Sequence, residues 1–286
     1  MASFELIEPQ SVEEALVALD SDDPAVRPMG GGTALMLMMK AQLFAPTRLV
    51  SLRGIGGGFS GFSLSGDGET FCIGAMTTFS ELEQSVEIAR HLPVITQTMK
   101  TLANVRVRNV ATVGGNLAHG DPHLDLPPVW TTLGARVRII GQSGERVIPV
   151  EELFVGYYET SLEPGELIAQ VLVPVRPDWR SFYAKVTTRA EHDWPALGLA
   201  VSVLPEGERI ADVSIVLSAA VDRPTRLVNA ENVLRGSVLC DEVLTRAGEA
   251  AVAETDIETD NRGSSAYKKQ LLRVHLGRAI RKVMGA

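Results

Sequence analysis

The sequence predicts an α+β protein of two domains, and three observations carry that expectation. The chain has 286 residues, which exceeds one domain of about 150. A stretch punctuated by Pro174 and Pro177 offers a boundary over residues 174–179. Beyond it strands precede helices instead of alternating with them, which is the order of an α+β domain. Hydrophobic residues make up 45% and charged residues 22%, enough apolar material for packed cores and too little charge for disorder.

Ser11 and Glu14 form an S-x-x-E capping box, after which Val12, Ala15, Leu16 and Leu19 fall on one helical face up to the turn at 20–24. Residues 26–29 read as a strand, 30–32 as a tight glycine loop, 34–40 as an apolar helix beginning under Thr33, and 48–52 as a second strand. Together they close a β-α-β-like unit. Past Gly54 the texture changes: 62–65 and 70–73 flank Gly66-Asp67-Gly68, and Asp-Gly tolerates the positive φ of a primed hairpin turn. Periodicity predicts helices over 79–90 and 94–103, an irregular polar loop over 109–120, and a helix over 126–133 with Pro127 and Pro128 in its first turn. Strands follow at 135–140, 146–150 and 167–173. After the boundary, strands at 181–187, 197–204 and 212–220 precede helices at 229–234, 241–255 and 264–284.

Composition removes several function classes. Thirty-five acidic against 27 basic residues give a net charge of -8 with no basic cluster, which argues against a protein that grips nucleic-acid phosphates. Cys72 and Cys240 are the two cysteines, short of the four thiolates of an ordinary iron-sulfur cluster or an all-cysteine zinc site. Such a metal belongs on another chain. No apolar run approaches the ~20 residues of a transmembrane segment, and residues 1–10 lack a basic lead or a long apolar core. The expectation is a soluble, cytoplasmic protein.

The most informative local feature is Met29-Gly30-Gly31-Gly32-Thr33-Ala34-Leu35-Met36, a strand that runs through consecutive glycines into a helix. Without Cβ atoms, successive backbone amides can face an anion, and the helix start adds its positive end. A pyrophosphate fits that arrangement, as does a plain flexible strand-to-helix turn. The loop is neither G-x-G-x-x-G nor a P-loop. About eighty residues downstream Thr112-Val113-Gly114-Gly115-Asn116 reads as a second cup, followed by Gly120-Asp121-Pro122-His123-Leu124-Asp125. Two separated cups suit an extended ligand with two phosphates and a sugar, hence a dinucleotide. Asp125 is a candidate for a ribose or adenine-side hydrogen bond, or else the N-cap of the helix at Leu126.

His119, Asp121, His123 and Asp125 alternate on a glycine- and proline-interrupted segment, without the i, i+4 spacing of a metal site on a helix. Arg106 and Arg108 read as an extended edge, either facing phosphate or, as is commoner, solvated or at a subunit contact. Lys185 and Trp194 open the second domain as a snorkelling lysine and a core-filling tryptophan. No G-x-S-x-G elbow is present, and neither cysteine has a histidine near it in sequence.

The pair of glycine motifs resembles the flavoprotein, or medium, subunit of the molybdenum hydroxylases, the carbon monoxide dehydrogenase and xanthine dehydrogenase family. Gly30 to Leu35 match an A-G-G-[TH]-x-L motif, and Thr112 to Asn116 with Gly120 to Asp125 match T-[IV]-G-G-N followed by G-D-P-x-x-D. The likeness extends over the whole chain, through 73–78, 163–166 and the C-terminal tail. It implies a two-lobed FAD-binding domain of the vanillyl-alcohol-oxidase type (PCMH-type) over 1–176, with lobes of about 1–55 and 56–176. A three-strand, three-helix C-terminal domain over 177–286 follows.

By the same resemblance, Met29, Gly30, Gly31, Gly32, Thr33, Ala34, Leu35 and Met36, with Thr112, Val113, Gly114, Gly115 and Asn116, hold the diphosphate and adjoining groups of FAD. Asp125 is placed at the adenosine end, Leu102 and Ile168 against the cofactor, and Lys185 near the ring system, where a cation favours the reduced flavin. Trp194 stands where the carbon monoxide enzyme has a tyrosine, keeping stacking and losing the hydroxyl. Gly30 departs from the usual alanine and Ala34 from a serine or aspartate, which removes a side-chain contact and leaves the amides. The implied activity is electron transfer: a large subunit carries molybdenum-pterin, a small subunit two [2Fe-2S] clusters, and this chain passes electrons to an external acceptor. The assembly is a dimer of heterotrimers. Two alternatives are a self-contained FAD oxidoreductase resembling an enolpyruvyl reductase, and a non-catalytic nucleotide-binding subunit.

Overall fold

A small parallel sheet opens the chain in the computed structural model, which describes residues 3–285. Strands β1 (Glu5–Ile7), β2 (Val26–Met29) and β3 (Arg48–Ser51) lie in the order β1-β3-β2, with α1 (Val12–Leu19) and α2 (Thr33–Lys40) as crossovers. Ser11 caps α1 as its spacing predicts, accepting from the Glu14 amide at 3.1 Å. The strand β1 escaped the sequence pattern because three residues do not make a period. Ala15, Leu19, Val26 and Val50 form a core that reaches Leu167 and Ala169 of the next lobe.

The second lobe is built on a five-stranded antiparallel sheet. Its strands are β4 (Phe62–Leu64), β5 (Thr70–Gly74), β6 (Arg136–Gly141), β7 (Gly144–Pro149) and, after the two-stranded hairpin β8 (Phe154–Gly156) and β9 (Glu159–Thr160), β10 (Leu167–Pro174). The order is β4-β5-β10-β6-β7. Gly68 at φ 76° closes the hairpin expected from Asp67-Gly68. Between β5 and β6 run α3 (Phe79–Gln84), α4 (Val86–His91), α5 (Pro93–Met99), α6 (Val105–Arg108), α7 (Val113–His119) and α8 (Leu126–Thr132); α9 (Val150–Leu153) follows β7.

Three readings of this lobe are corrected. The helix expected over 79–90 breaks at Ser85, which is extended and caps α4 by accepting from the Ile88 amide; a serine side chain that serves the next helix competes with continuation of the first. The loop expected over 109–120 contains α7. Two glycines disfavour a helix by about 1 kcal/mol each, but a β-carbon on Gly114 would sit 2.6 Å from Ala75 Cβ, so packing selects glycine there. Arg106 and Arg108 do not lie on an extended edge. Asn104 Oδ1 accepts from the amides of Arg106 and Val107 and starts α6, and Arg108 donates to Glu83 and to the Leu102 and Ala103 carbonyls.

Beyond residue 176 the chain forms a four-stranded antiparallel sheet, one strand more than expected: β11 (Arg180–Val186), β12 (Leu197–Glu206), β13 (Arg209–Ser218) and the two-residue β14 (Thr225–Arg226). The helices α10 (Val228–Leu234), α11 (Asp241–Ala253) and α12 (Ser265–Met284) follow as predicted. Leu197, Leu199, Val201 and Val203 pack on these helices, while Tyr183, Ala200 and Val216 join the core of the second lobe. The sheet is a wall shared by both bodies, and α8, buried along its whole length, packs against β12 and β13. A sheet covered on both faces explains why β12 reads as a nearly continuous apolar run.

Glu231 of α10 fastens the edge of that wall. Its buried carboxylate accepts from the Ile215 amide at 2.9 Å and from Arg226 at 2.8 Å. Glu231→Ala leaves a buried donor and a cation without their acceptor, and urea unfolding is expected to show a loss of about 3 kcal/mol. A change below 0.5 kcal/mol, roughly that of a neutral surface substitution, contradicts this role.

Candidate functional site

The two glycine motifs, eighty residues apart in sequence, meet where the first lobe touches the second. A β-carbon on Gly31 would fall on the Val110 carbonyl oxygen, 2.7 Å from Val110 C and 2.9 Å from Ala111 Cα; one on Gly30 would lie 2.7 Å from Thr112 Oγ1. Backbone here packs directly on backbone. Gly32 adopts φ 73°, a left-handed conformation that favours glycine, and opens α2 without a side-chain cap. The first bond into α2 runs from the Met36 amide to Gly32 O at 2.9 Å. The amides of Thr33, Ala34 and Leu35 are therefore the orphan donors of a helix start. The same helix is apolar yet buries only Met39 among its residues, leaving Leu35, Met36 and Met38 half-exposed. Met29 Sδ and Met36 Cγ stand 3.5 and 3.8 Å from where a Gly32 β-carbon would be.

The second motif differs from the amide cup expected of it. The Val113 amide donates to Thr77 O at 3.0 Å, Gly114 to Ala75 O at 2.7 Å and Asn116 to Thr112 O at 2.9 Å. Gly115 donates to the Thr112 hydroxyl at 3.3 Å. These donors are spent on the protein. What the motif offers a ligand is the exposed backbone of Gly115 and the side chain of Asn116, whose Oδ1 is buried without a partner.

Asp125 is held by partners far from it in sequence. It sits at the start of α8 without capping it. Its Oδ1 accepts from the Tyr183 hydroxyl at 2.8 Å and its Oδ2 from Lys185 Nζ at 2.9 Å, and Lys185 also donates to Thr101 O at 2.9 Å. Both members of this pair are buried, with side-chain exposures of 6% and 7%. Burial pushes the Asp125 carboxyl above its ordinary pKa, against the opposing charge of Lys185 and the hydrogen bonds from Lys185 and Tyr183. Burial also pushes the Tyr183 hydroxyl well up. Groups 2.9 Å apart cannot serve opposite ends of one extended ligand, so the joint placement of Asp125 at an adenosine end and Lys185 at a ring system is corrected: the two belong to one place in the fold.

Trp194 is half-exposed, not in a core. Its ring stacks on His123, with centroids 5.7 Å apart, and the Arg262 guanidinium lies 5.4 Å from its centroid. His123 Nδ1 is 2.9 Å from Asp121 Oδ1. Burial of Asp121 is the largest single influence and raises its pKa, but hydrogen bonds from His123 and Tyr158, with the His123 charge, together hold its carboxyl below the ordinary range. Leu102 and Ile168 place their side chains in the second-lobe core. Each nevertheless borders the site: Leu102 follows Thr101, the acceptor of Lys185, and Ile168 precedes Ala169, whose carbonyl binds the Ala75 amide, while the Ala75 carbonyl binds Gly114.

Two residues of this cluster were missed from the sequence. Tyr183 stands two positions before Lys185, and the period of a strand puts both on one face; that signal was present. Arg262 arrives on the connection before α12, and nothing in its surroundings in sequence marks it.

Comparisons with known proteins cover nearly the whole of this fold. Residues 2–176 match the family described as the FAD binding domain in molybdopterin dehydrogenase, and residues 182–283 the CO dehydrogenase flavoprotein C-terminal domain. The carbon monoxide dehydrogenase medium chain of Afipia carboxidovorans is 33% identical over 97% of this chain and 96% of its own length. The nicotine 6-hydroxylase medium subunit of Paenarthrobacter nicotinovorans is 33% identical over 95% of this chain and 94% of its own. Among solved structures, the carbon monoxide dehydrogenase of Hydrogenophaga pseudoflava superposes with a TM-score of 0.95 at 30% identity, covering 99% of this chain and 98% of that one.

Two outcomes test the geometry. Gly31→Ala forces backbone from two lobes apart and is expected to destabilise the fold by about 1–3 kcal/mol, as overpacking does, whereas Gly56→Ala, with nothing within 4 Å of its β-carbon, leaves the thermal midpoint in place. Equal midpoints would contradict the packing. Asp125→Asn strands Lys185 and is expected to lose about 3 kcal/mol near neutral pH, part of which Lys185→Met in the same chain restores. Because the folded Asp125 pKa lies above the unfolded one, the contribution of its titration is complete below the unfolded pKa and declines as pH rises through the folded one. The Asn variant removes that decline from a plot of unfolding free energy against pH.

Proposed function

The chain belongs to the FAD-binding family of molybdopterin dehydrogenases, and from that premise we propose that it is the flavin-carrying medium subunit of a multi-subunit molybdenum hydroxylase. The observation that carries this reading is the meeting of the two glycine motifs beneath an uncapped helix start. The residues present suit FAD. The orphan amides of Thr33, Ala34 and Leu35 suit its diphosphate, the unpartnered Asn116 Oδ1 suits a hydroxyl or amide donor, and the half-exposed apolar side of α2 suits its flat, weakly polar parts. When bound, FAD supplies a redox group able to exchange electrons with one-electron carriers and a two-electron acceptor.

The chain's own residues bind, orient and cover. Met29 to Met36 receive the diphosphate, with Gly30 and Gly31 leaving room for the neighbouring lobe; Thr112 to Asn116 contribute the Gly115 surface and the Asn116 side chain, with Val113 and Gly114 holding that turn in place. Lys185 and Asp125 meet the cofactor at one place. The lysine charge is compensated by its partner, so its pull toward the reduced flavin is weaker than that of a lone cation. Leu102 and Ile168 contribute through backbone, and Trp194 covers an edge. In this reading residues 1–176 form the flavin domain, in lobes of about 1–55 and 56–176, and 177–286 the C-terminal domain. A large molybdenum-pterin subunit and a small subunit with two [2Fe-2S] clusters complete a heterotrimer, paired as a dimer of heterotrimers in the cytoplasm. No helix among the described residues is long and apolar enough to cross a membrane. The full-length match to medium chains weighs against a self-contained reductase and against a subunit without a redox role.

Apoprotein titrated with FAD is expected to bind one equivalent, turn yellow and quench the flavin fluorescence, with the affinity reduced in Asn116→Ala. Expressed with its neighbours it is expected to copurify with a molybdenum chain and a cysteine-rich chain and to have its flavin reduced by their substrate. Colourless protein that ignores added FAD contradicts the reading.

A further inference from the structure

A second concavity, sharing no residue with the glycine motifs, lies where the second lobe meets the C-terminal sheet. It has a volume of about 360 Å³ and is walled by the end of α8, the start of β6, the connection 175–179 and strands β13 and β14. We propose that this cavity is a binding site for a small phosphate-bearing molecule, no larger than a mononucleotide.

Charge bookkeeping across its wall leaves unspent cations. Of the three arginines lining it, Arg226 is held by Glu231 at 2.8 Å, and the acidic Asp212 is in turn held by Arg235 at 2.8 Å. Arg136 and Arg176 then face the cavity against Glu151 alone. Neither has a carboxylate partner among the described residues. Arg136 donates only to Val147 O, at 3.3 Å. The Arg176 guanidinium makes no hydrogen bond, rests 5.0 Å from the Trp179 ring centroid and sits over Gly134, where a β-carbon would come within 2.6 Å of its Nη2. That glycine, at φ 71°, keeps the guanidinium at the mouth of the cavity. A guanidinium fork with open donors is suited to oxyanions.

The back wall supplies the second observation. Thr132 is 2% exposed, lines the cavity and has a buried Oγ1 with no hydrogen-bond partner. A buried unpaired hydroxyl costs about 1–3 kcal/mol; rotated toward the cavity that Thr132 lines, it would find its partner in a ligand oxygen. Ser214 of β13 adds a second hydroxyl from the opposite wall. Donors carried by α8, β6, the connection and β13 line the cavity from different elements, an arrangement that suits the tetrahedral oxygens of a phosphate better than a planar carboxylate. The cavity has room for a nucleoside body beside the phosphate, with the Trp179 ring along its side.

The test is isothermal titration of the full chain, loaded with FAD, with inorganic phosphate and separately with AMP, with acetate as the planar control. Saturable one-to-one binding of phosphate or AMP is expected, and each of Arg136→Ala and Arg176→Ala should weaken it by about tenfold or more, the worth of one charge-assisted hydrogen bond. Tighter binding of AMP identifies a nucleotide and equal affinities a free phosphate, and either supports the site. Thr132→Val should weaken binding while the thermal midpoint of the free protein holds or rises, because an orphan hydroxyl has been removed. Absence of saturable binding by both probes, binding that survives both arginine variants, or acetate binding as well as phosphate would overturn the proposal. The arginine variants lie outside the glycine motifs, so the outcome is readable even where FAD fails to bind.

Discussion

The contact between Gly31 and the Val110 carbonyl is the constraint from which the rest of the site follows. Two lobes with separate cores approach there until a single β-carbon would collide with backbone. That approach decides which amides remain for a ligand. On the side of the second lobe, the amides from Val113 to Asn116 fasten α7 to Ala75, Thr77 and Thr112, so the turn is rigid and its donors are consumed. On the side of the first lobe α2 begins without a cap. In the proposed flavin site this asymmetry gives one motif the part of a wall and the other that of a donor set.

The C-terminal sheet joins the second lobe through a single face. Tyr183 and Lys185 alternate with Phe182, Ala184 and Val186, which turn to α12 and its neighbours. The first pair crosses to Asp125, and Ala219, at φ 64°, donates to Pro122 O at 2.9 Å on the same segment. A buried ion pair contributes little net stability once desolvation is counted, but it penalises any arrangement that separates its members. Asp125 and Lys185 thus fix how the C-terminal body sits against the second lobe, a specificity that apolar contacts alone leave looser.

Much of this architecture was legible in the chain, for reasons that can be named. The Ser11 capping box, the Asp67-Gly68 turn and the long periods of α11 and α12 are local signals, and local signals survive folding. The paired glycine motifs marked the cleft because close backbone approach tolerates no other residue. What the chain concealed was set by distant partners. A Val-Gly-Gly-Asn run becomes α7 only because Ala75 leaves room for Gly114 alone. The partner of Asp125 lies 60 residues on, and its sequence neighbours argue instead for a cap or a ribose contact. Arg262 reaches His123 and Trp194 across 139 and 68 positions, a distance no motif spans.

The placement of Trp194 follows from the same logic. Its loop leaves the protected edge of β11 and returns at Leu197, so its own backbone offers little to hold an indole in place. His123 and Arg262 do so from outside, the first tied to Asp121 and the second to the connection before α12. Two segments therefore converge on an aromatic ring carried by a third, and they belong to bodies already joined by Lys185, Tyr183 or Ala219. A ligand that makes contacts to the first lobe, the second lobe and the β11 edge together binds the assembled arrangement better than any partly opened one. By linkage it stabilises the closure of all three by an amount that grows with the logarithm of its affinity, so ligand capture and domain assembly become one equilibrium.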